Sequence, residues 1–247
     1  MQRGTSRAMD RSQQNERAID SGRDDSKAHR EEIGFVKLVN QTGGAVEIVN
    51  AARVSFGKRI DKIEEKDLKL IRYLWKNKHT SPFRHIHFTF HIKAPIFVLR
   101  QWMKHQIGCS WNEISGRYVQ FDYEFFCPEE WRTRPLDSIK QGSGDAFYND
   151  ECEIISRRYI RVVNQCHNLY QELIDLGVCK EQARMILPLS LYSECYWTVS
   201  FQALLHFLDL RLDSHSQVEI QDYAKKVQSI LFKLDGIKEI MEEINEI

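Results

Sequence analysis

The sequence contains no apolar run long enough to cross a bilayer. Its first 32 residues are almost wholly polar and lack the apolar core of a secretory signal. Excess charge is also missing, because 35 Lys and Arg balance 35 Asp and Glu. A dedicated binder of nucleic acid or of an acidic membrane surface is thereby excluded, while local basic pockets remain allowed. Cysteine is sparse: the six residues are scattered, with no C-x-x-C pair, and read as reduced thiols rather than a disulfide frame or zinc site. These absences predict a cytoplasmic protein with neither nucleic-acid nor membrane partners. There is no internal repeat and no Pro/Gly/Ser-rich linker, so a single domain is expected over residues 33–247. Residues 1–32, low in aromatics and alternating in charge, cannot bury enough surface to offset the entropy of ordering, and are expected to form a disordered tail.

What is present is a globular balance of 42% apolar and 28% charged residues, ample for a buried core. "FVKLVNQ" alternates and predicts a strand, and "AVEIVNAARVSF" and "EEKDLKLIRYLWKN" predict helices. "IHFTFHIK" is the clearest strand, with Ile86, Phe88, Phe90 and Ile92 on one face and His87, Thr89, His91 and Lys93 on the other. Pro95 opens a helix that should run to Gly108, where "CSWNEISGRY" continues as a loop. "QFDYEFF" and "YSECYWTVSF" read as strands. Helices are expected from about Asp145 to Leu176, over "KEQARMILP", over "QALLHFLDLRL", and from Ser216 onward. The sum is an α+β fold, a small, mostly antiparallel sheet packed with several helices.

The segment Arg100–Tyr118 carries too many charges for a core and too many aromatics for a solvated surface. Ser115-Gly116-Arg117 combines exposed N–H groups, a hydroxyl and a guanidinium fork, which suits a phosphate. An ordinary charged surface would explain it equally. On "QALLHFLDLRL", Gln202, His206 and Asp209 share a face. Arg211 instead falls below Leu204 and Phe207 on the apolar stripe, where it needs a ligand or an ion-pair partner such as Asp213. Arg184 is a similar lone cation. His85, His87 and His91 offer metal-like spacing, yet no carboxylate or cysteine completes a ligand set, so no metal site is assigned. Cys109 between Gly108 and Ser110 lacks an orienting group, so it reads as a small semi-buried thiol rather than a nucleophile.

Together "AARVSF", "HTSPFRHIHFTFHIKAPIFVLRQW", "KHQIGCSWNEISGRY", "ARMILPLSLY" and "LRLDSHSQVEIQDYA" resemble the flavin-dependent thymidylate synthases, the ThyX family, from Gly34 to about Ala224. The resemblance implies reductive methylation of dUMP to dTMP, with methylenetetrahydrofolate as carbon donor, NADPH as reductant and bound FAD as hydride carrier. It implies a dUMP site of Gln101, Lys104, Glu113, Ser115, Gly116, Arg117, Arg184 and Arg211, with Arg211 against the uracil and favouring its ionised form. An FAD site of Ser55, His79, Ser81, Lys104, His105, Gln106, Ile107, Glu113, Ser200, Gln202 and His206 is implied as well. So is a homotetramer whose sites form between subunits.

The chain departs from the family signature on the flavin side. Lys104 and Gln106 replace arginines, Ser200 and Gln202 replace an asparagine and an arginine, and one extra residue lies between Ile107 and Asn112. A point charge and a neutral amide cannot make the forked contacts of two guanidinium groups. Nucleotide binding is expected to be retained and FAD to be held less tightly. A nucleotide-binding homologue that has lost the redox step is the alternative, and a metal-dependent hydrolase built on His85, His87 and His91 is a third reading.

Overall fold

The structure, a computed structural model, describes residues 33–121, 124–135, 142–147 and 151–245. The tail expected over residues 1–32 lies outside them.

Strands β1 (Phe35–Thr42), β2 (His87–Pro95), β3 (Cys109–Glu113) and β4 (Tyr192–Ser200) form a four-stranded sheet in the order β1-β2-β4-β3. Every neighbouring pair is antiparallel. Alternation explains the two long central strands. Phe88, Phe90 and Ile92 of β2 pair with Val199, Trp197 and Cys195 of β4, and all six are buried. The opposite face is polar and internally bonded. Thr89 and Thr198 share a hydrogen bond of 2.9 Å, His91 lies 2.9 Å from Glu194, and Lys93 bonds Glu124 at 2.5 Å.

The helices are α1 (Ala45–Arg53), α2 (Glu65–Lys76), α3 (Ile96–Trp102), α4 (Glu151–Asp175), α5 (Lys180–Ala183), α6 (Phe201–Arg211), α7 (Val218–Leu231) and α8 (Lys238–Asn245). Their apolar stripes follow helical spacing: α7 buries Ile220, Tyr223, Ala224, Val227 and Leu231. The core centre is aromatic. Trp102 of α3 stacks on Phe207 of α6, and Trp111 of β3 stacks on Trp197 of β4. In α2, Asp67 is fully buried; its Oδ1 lies 2.6 Å from Arg53, and its Oδ2 accepts the Glu64 N–H at the helix start.

Several boundaries differ from the sequence reading. Helix α3 ends at Trp102, not Gly108: the N–H groups of Met103 and His105 close onto the carbonyls of Leu99 and Trp102. Residues 109–113, expected as loop, are strand β3, because Cys109 and Trp111 alternate inward against β4. "QFDYEFF" is not a strand over its described residues; Phe125 forms only an isolated bridge to Leu191, and residues 122–123 lie outside the described set. Helix α4 starts at Glu151 rather than Asp145. Asp145 and Phe147 instead pair with Thr133 and Trp131 in a short tongue. The final helix divides into α7 and α8 around Gly236, whose φ of 74° turns the chain.

Candidate active site

Arg211 ends α6 and turns back toward the short connection between α3 and β3. Its Nε donates to His105 Nε2 at 2.9 Å, and its Nη2 reaches the Gln101 carbonyl at 3.3 Å. For that geometry His105 must be neutral at Nε2. Burial, then the charge of Arg211 and the neighbouring His206, push its pKa from 6.5 down to about 4. Burial also lowers the pKa of Arg211. The ion pair with Asp213 that the sequence offered does not form, because Asp213 accepts from the backbone and ring of His215, both at 2.8 Å. Among the described residues, Arg211 therefore has a neutral acceptor and a carbonyl as partners and forms no ion pair.

A cleft of about 950 Å³ opens beside it, lined by Gln101, Arg132, Asp209, Arg211 and Gln217 among others. Gln101 is oriented by a 2.5 Å bond to Gln217. Arg132, which the sequence reading missed, reaches the cleft from the tongue, with Nη2 2.6 Å from Glu219 of α7. Nothing in "EEWRTR" marks it, since its placement depends on a hairpin with residues 142–147.

A second cluster forms at the far end of β3. Ser193, buried on the inner face of β4, donates to Glu113 Oε1 at 2.6 Å. A hydroxyl among Cys195, Trp197 and Val199 in the alternation was the overlooked signal for this partner. Beyond Glu113 the chain turns: the N–H groups of Tyr118 and Val119 donate to the Ser115 carbonyl, and the Arg117 N–H and Nε lie 3.3 and 3.4 Å from Ser115 Oγ. Gly116 is buried, and a Cβ there would stand 2.3 Å from the Phe121 ring and 3.2 Å from Arg184 Cδ. That close approach brings Arg184 beside the turn. Among the described residues neither Arg117 nor Arg184 forms an ion pair, and both are exposed. Within one chain, Arg211 and Gln101 share a cleft that Glu113, Ser115, Gly116, Arg117 and Arg184 do not line.

Most of the remaining candidates lie toward the end of the sheet where β2 begins and β4 ends. Lys104, Gln106 and Ile107 are exposed on the α3–β3 connection, Ile107 by 92%. Exposed Ser81 opens a 3-10 turn whose Phe83 meets Phe201, placing it beside the start of α6. His79 stands exposed just before it, against Tyr73. Gln202 is half-buried and His206 exposed, while Ser55 is exposed between Val54 and Phe56. Ser200 differs: it is buried, and its Oγ caps α6 by accepting the Ala203 N–H at 3.5 Å. Gly108, at φ 70°, fits against it, since a Cβ would lie 2.8 Å from Ser200 Oγ.

The histidines of the third reading do not converge. His91 is engaged with Glu194 and stacks on Tyr196, and among the described residues no group of three or more His, Cys, Asp or Glu is arranged to hold a metal. Cys109 Sγ points to the His105 carbonyl at 2.8 Å. No helix among the described residues is long and apolar enough to cross a membrane.

Residues 37–235 match the family model described as thymidylate synthase complementing protein. The flavin-dependent thymidylate synthase of Thermotoga neapolitana is 47% identical over 80% of this chain and 85% of its own length. That of Thermus thermophilus is 44% identical over 80% and 71%. Among solved structures, a UMP/dUMP methylase, PolB, from Streptomyces cacaoi bound with 5-Br dUMP superposes with a TM-score of 0.75 at 32% identity, over 86% of this chain and 95% of that one. The chain belongs to the flavin-dependent thymidylate synthases, a family of enzymes.

The outward-facing groups fit a flavin dinucleotide in chemistry. Lys104 supplies one full positive charge, Gln106 and Gln202 supply amides, and bare Ile107 and Phe56 supply apolar surface. Ser200 is the exception, its hydroxyl being committed to the helix cap.

Proposed function

We propose that this chain catalyses the reductive methylation of dUMP to dTMP, taking the carbon from methylenetetrahydrofolate and the reducing equivalents from NADPH through bound FAD, as a homotetramer with sites between subunits. The observation that carries this reading is Arg211, a half-buried guanidinium lining a cleft, which among the described residues bonds only His105 and the Gln101 carbonyl and forms no ion pair. An arginine so placed stabilises negative charge on a ligand that enters. Against uracil it favours the ionised ring, which makes C5 the better nucleophile. His105 fixes the plane of the guanidinium, and because it stays neutral it competes for none of that charge.

Ser115 Oγ, the backbone of Gly116 and the forks of Arg117 and Arg184 would bind the nucleotide phosphate, and Gln101 would orient the nucleotide, with Glu113 held by Ser193. Lys104 would add a point charge shared between nucleotide and flavin. Ser55, His79, Ser81, Lys104, His105, Gln106, Ile107, Glu113, Ser200, Gln202 and His206 would hold the flavin, Ser200 through the fold of Gly108 rather than through its hydroxyl. When bound, the flavin supplies the two-electron chemistry, which this chain's own side chains cannot. That the cleft holding Arg211 is not lined by Ser115, Arg117 or Arg184 of the same chain supports sites assembled from more than one subunit.

The test is NADPH oxidation and release of the uracil 5-hydrogen, measured with added FAD and folate on dUMP, with UMP in a parallel arm. A second reading, a nucleotide-binding homologue without the redox step, is favoured by Lys104 and Gln106 in place of arginines. It predicts dUMP binding with neither reaction.

A further inference from the structure

Helix α4 buries Val163 and Tyr170, and its other side is bare. Ile154, Val162 and Leu169 are 55, 57 and 40% exposed, and Leu176, whose N–H still donates to the Glu172 carbonyl, is 79% exposed. At about 100° per residue, Ile154, Arg158, Gln165, Glu172 and Leu176 fall within about 20° of one line along the helix. Val162 and Leu169 flank that line on one side, Arg161 and Asn168 on the other. Arg158 and Glu172 are exposed, and among the described residues neither forms an ion pair.

The order of that line is self-complementary. Gln165 stands at its centre, Arg158 and Glu172 lie equally far to either side, and Ile154 and Leu176 do so further out. In an antiparallel pairing about a two-fold axis through Gln165, each residue meets its mirror position. Arg158 then faces the partner subunit's Glu172, Ile154 faces the partner subunit's Leu176, and the two glutamine amides meet each other. A parallel pairing would set like charges together instead.

We propose that this face of α4 is a two-fold interface with a second copy of the chain, in the register centred on Gln165. The proposal rests on the reading of this protein as a homo-oligomer and adds which surface is used and how it is aligned. The seam runs about 33 Å, and a footprint one helix wide amounts to roughly 700 Å² in total. That falls short of the ~1,200 Å² typical of a stable interface, so the seam is one part of a wider contact.

Sedimentation of the full-length chain, the single variants Arg158→Glu and Glu172→Arg, the double variant, and a mixture of the two singles tests this. Each single places like charges opposite one another twice per interface and should weaken assembly by at least about tenfold. The double variant and the mixture restore opposite charges across the axis and should restore assembly, which a folding defect would not allow. Singles that assemble like the parent would overturn the seam while leaving the homo-oligomer reading intact. Singles that dissociate without rescue in the double variant and the mixture would also overturn it. A parent chain that sediments as a monomer would overturn both.

Discussion

Lowering the pH should cost this protein stability through His105 specifically. Burial and the adjacent Arg211 hold the imidazole neutral, with a pKa of about 4 against 6.5 in an unfolded chain. The folded value is depressed, so the contribution is complete above pH 6.5 and is lost as pH falls through about 4. Protonation would also turn the acceptor at Nε2 into a donor and set an imidazolium 2.9 Å from Arg211 Nε. At 1.36 kcal/mol per tenfold, the ceiling is about 3 kcal/mol. His105 is only half-buried, and screening by solvent reduces this to about 1 kcal/mol. Urea unfolding near neutral pH and near pH ~4.5 should be compared between the parent and His105→Gln, whose amide oxygen accepts from Arg211 without titrating. Other carboxylates and histidines cancel in that comparison, and the parent should lose about 1 kcal/mol more than the variant on acidification. Parallel pH dependence in the two proteins would refute the argument.

Three further outcomes follow from single contacts. Arg211→Ala should leave the fold intact and lower turnover by about 10²-fold or more, measured as release of the uracil 5-hydrogen; near-normal rates would place the base-activating group elsewhere. Gly108→Ala combines a φ of 70° with a Cβ 2.8 Å from Ser200 Oγ, whereas Gly57→Ala at φ 65° meets open space. The first should cost roughly 2–3 kcal/mol and the second about 1 in urea midpoint terms, and equal costs would contradict the close packing. Asp67→Ala leaves the half-buried Arg53 without its carboxylate and removes a cap from α2, and should cost about 3 kcal/mol by the same measurement.

Much of the fold was legible because its signals are local. The alternation of Phe88, Phe90 and Ile92, and of Cys195, Trp197 and Val199, marks two central strands without knowledge of their pairing. Strand β3 was not legible, since Cys109 and Trp111 are recognisable as inward-facing only once β4, some 80 residues later, lies beside them. Asp145 was likewise assigned to a helix because nothing near it reveals Thr133 as its partner. The oddity of Arg211 on an apolar stripe could be read directly, but its acceptor lies 106 positions away in the chain, and the nearby Asp213 was the plausible wrong partner. Ser115, Gly116 and Arg117 could be read as an anion-binding turn, while the approach of Arg184 to Gly116 depends on how the α5 region packs. Arg132 carried no local signal at all.

Whether this chain performs reductive methylation of a deoxyuridine nucleotide is decided by release of the 5-hydrogen from labelled dUMP, followed together with NADPH oxidation in the presence of FAD and methylenetetrahydrofolate. Both reactions should proceed, in equal amounts, and both should stop in Arg211→Ala. Saturable dUMP binding with neither reaction, at any FAD concentration, would show that the chain binds the nucleotide without methylating it.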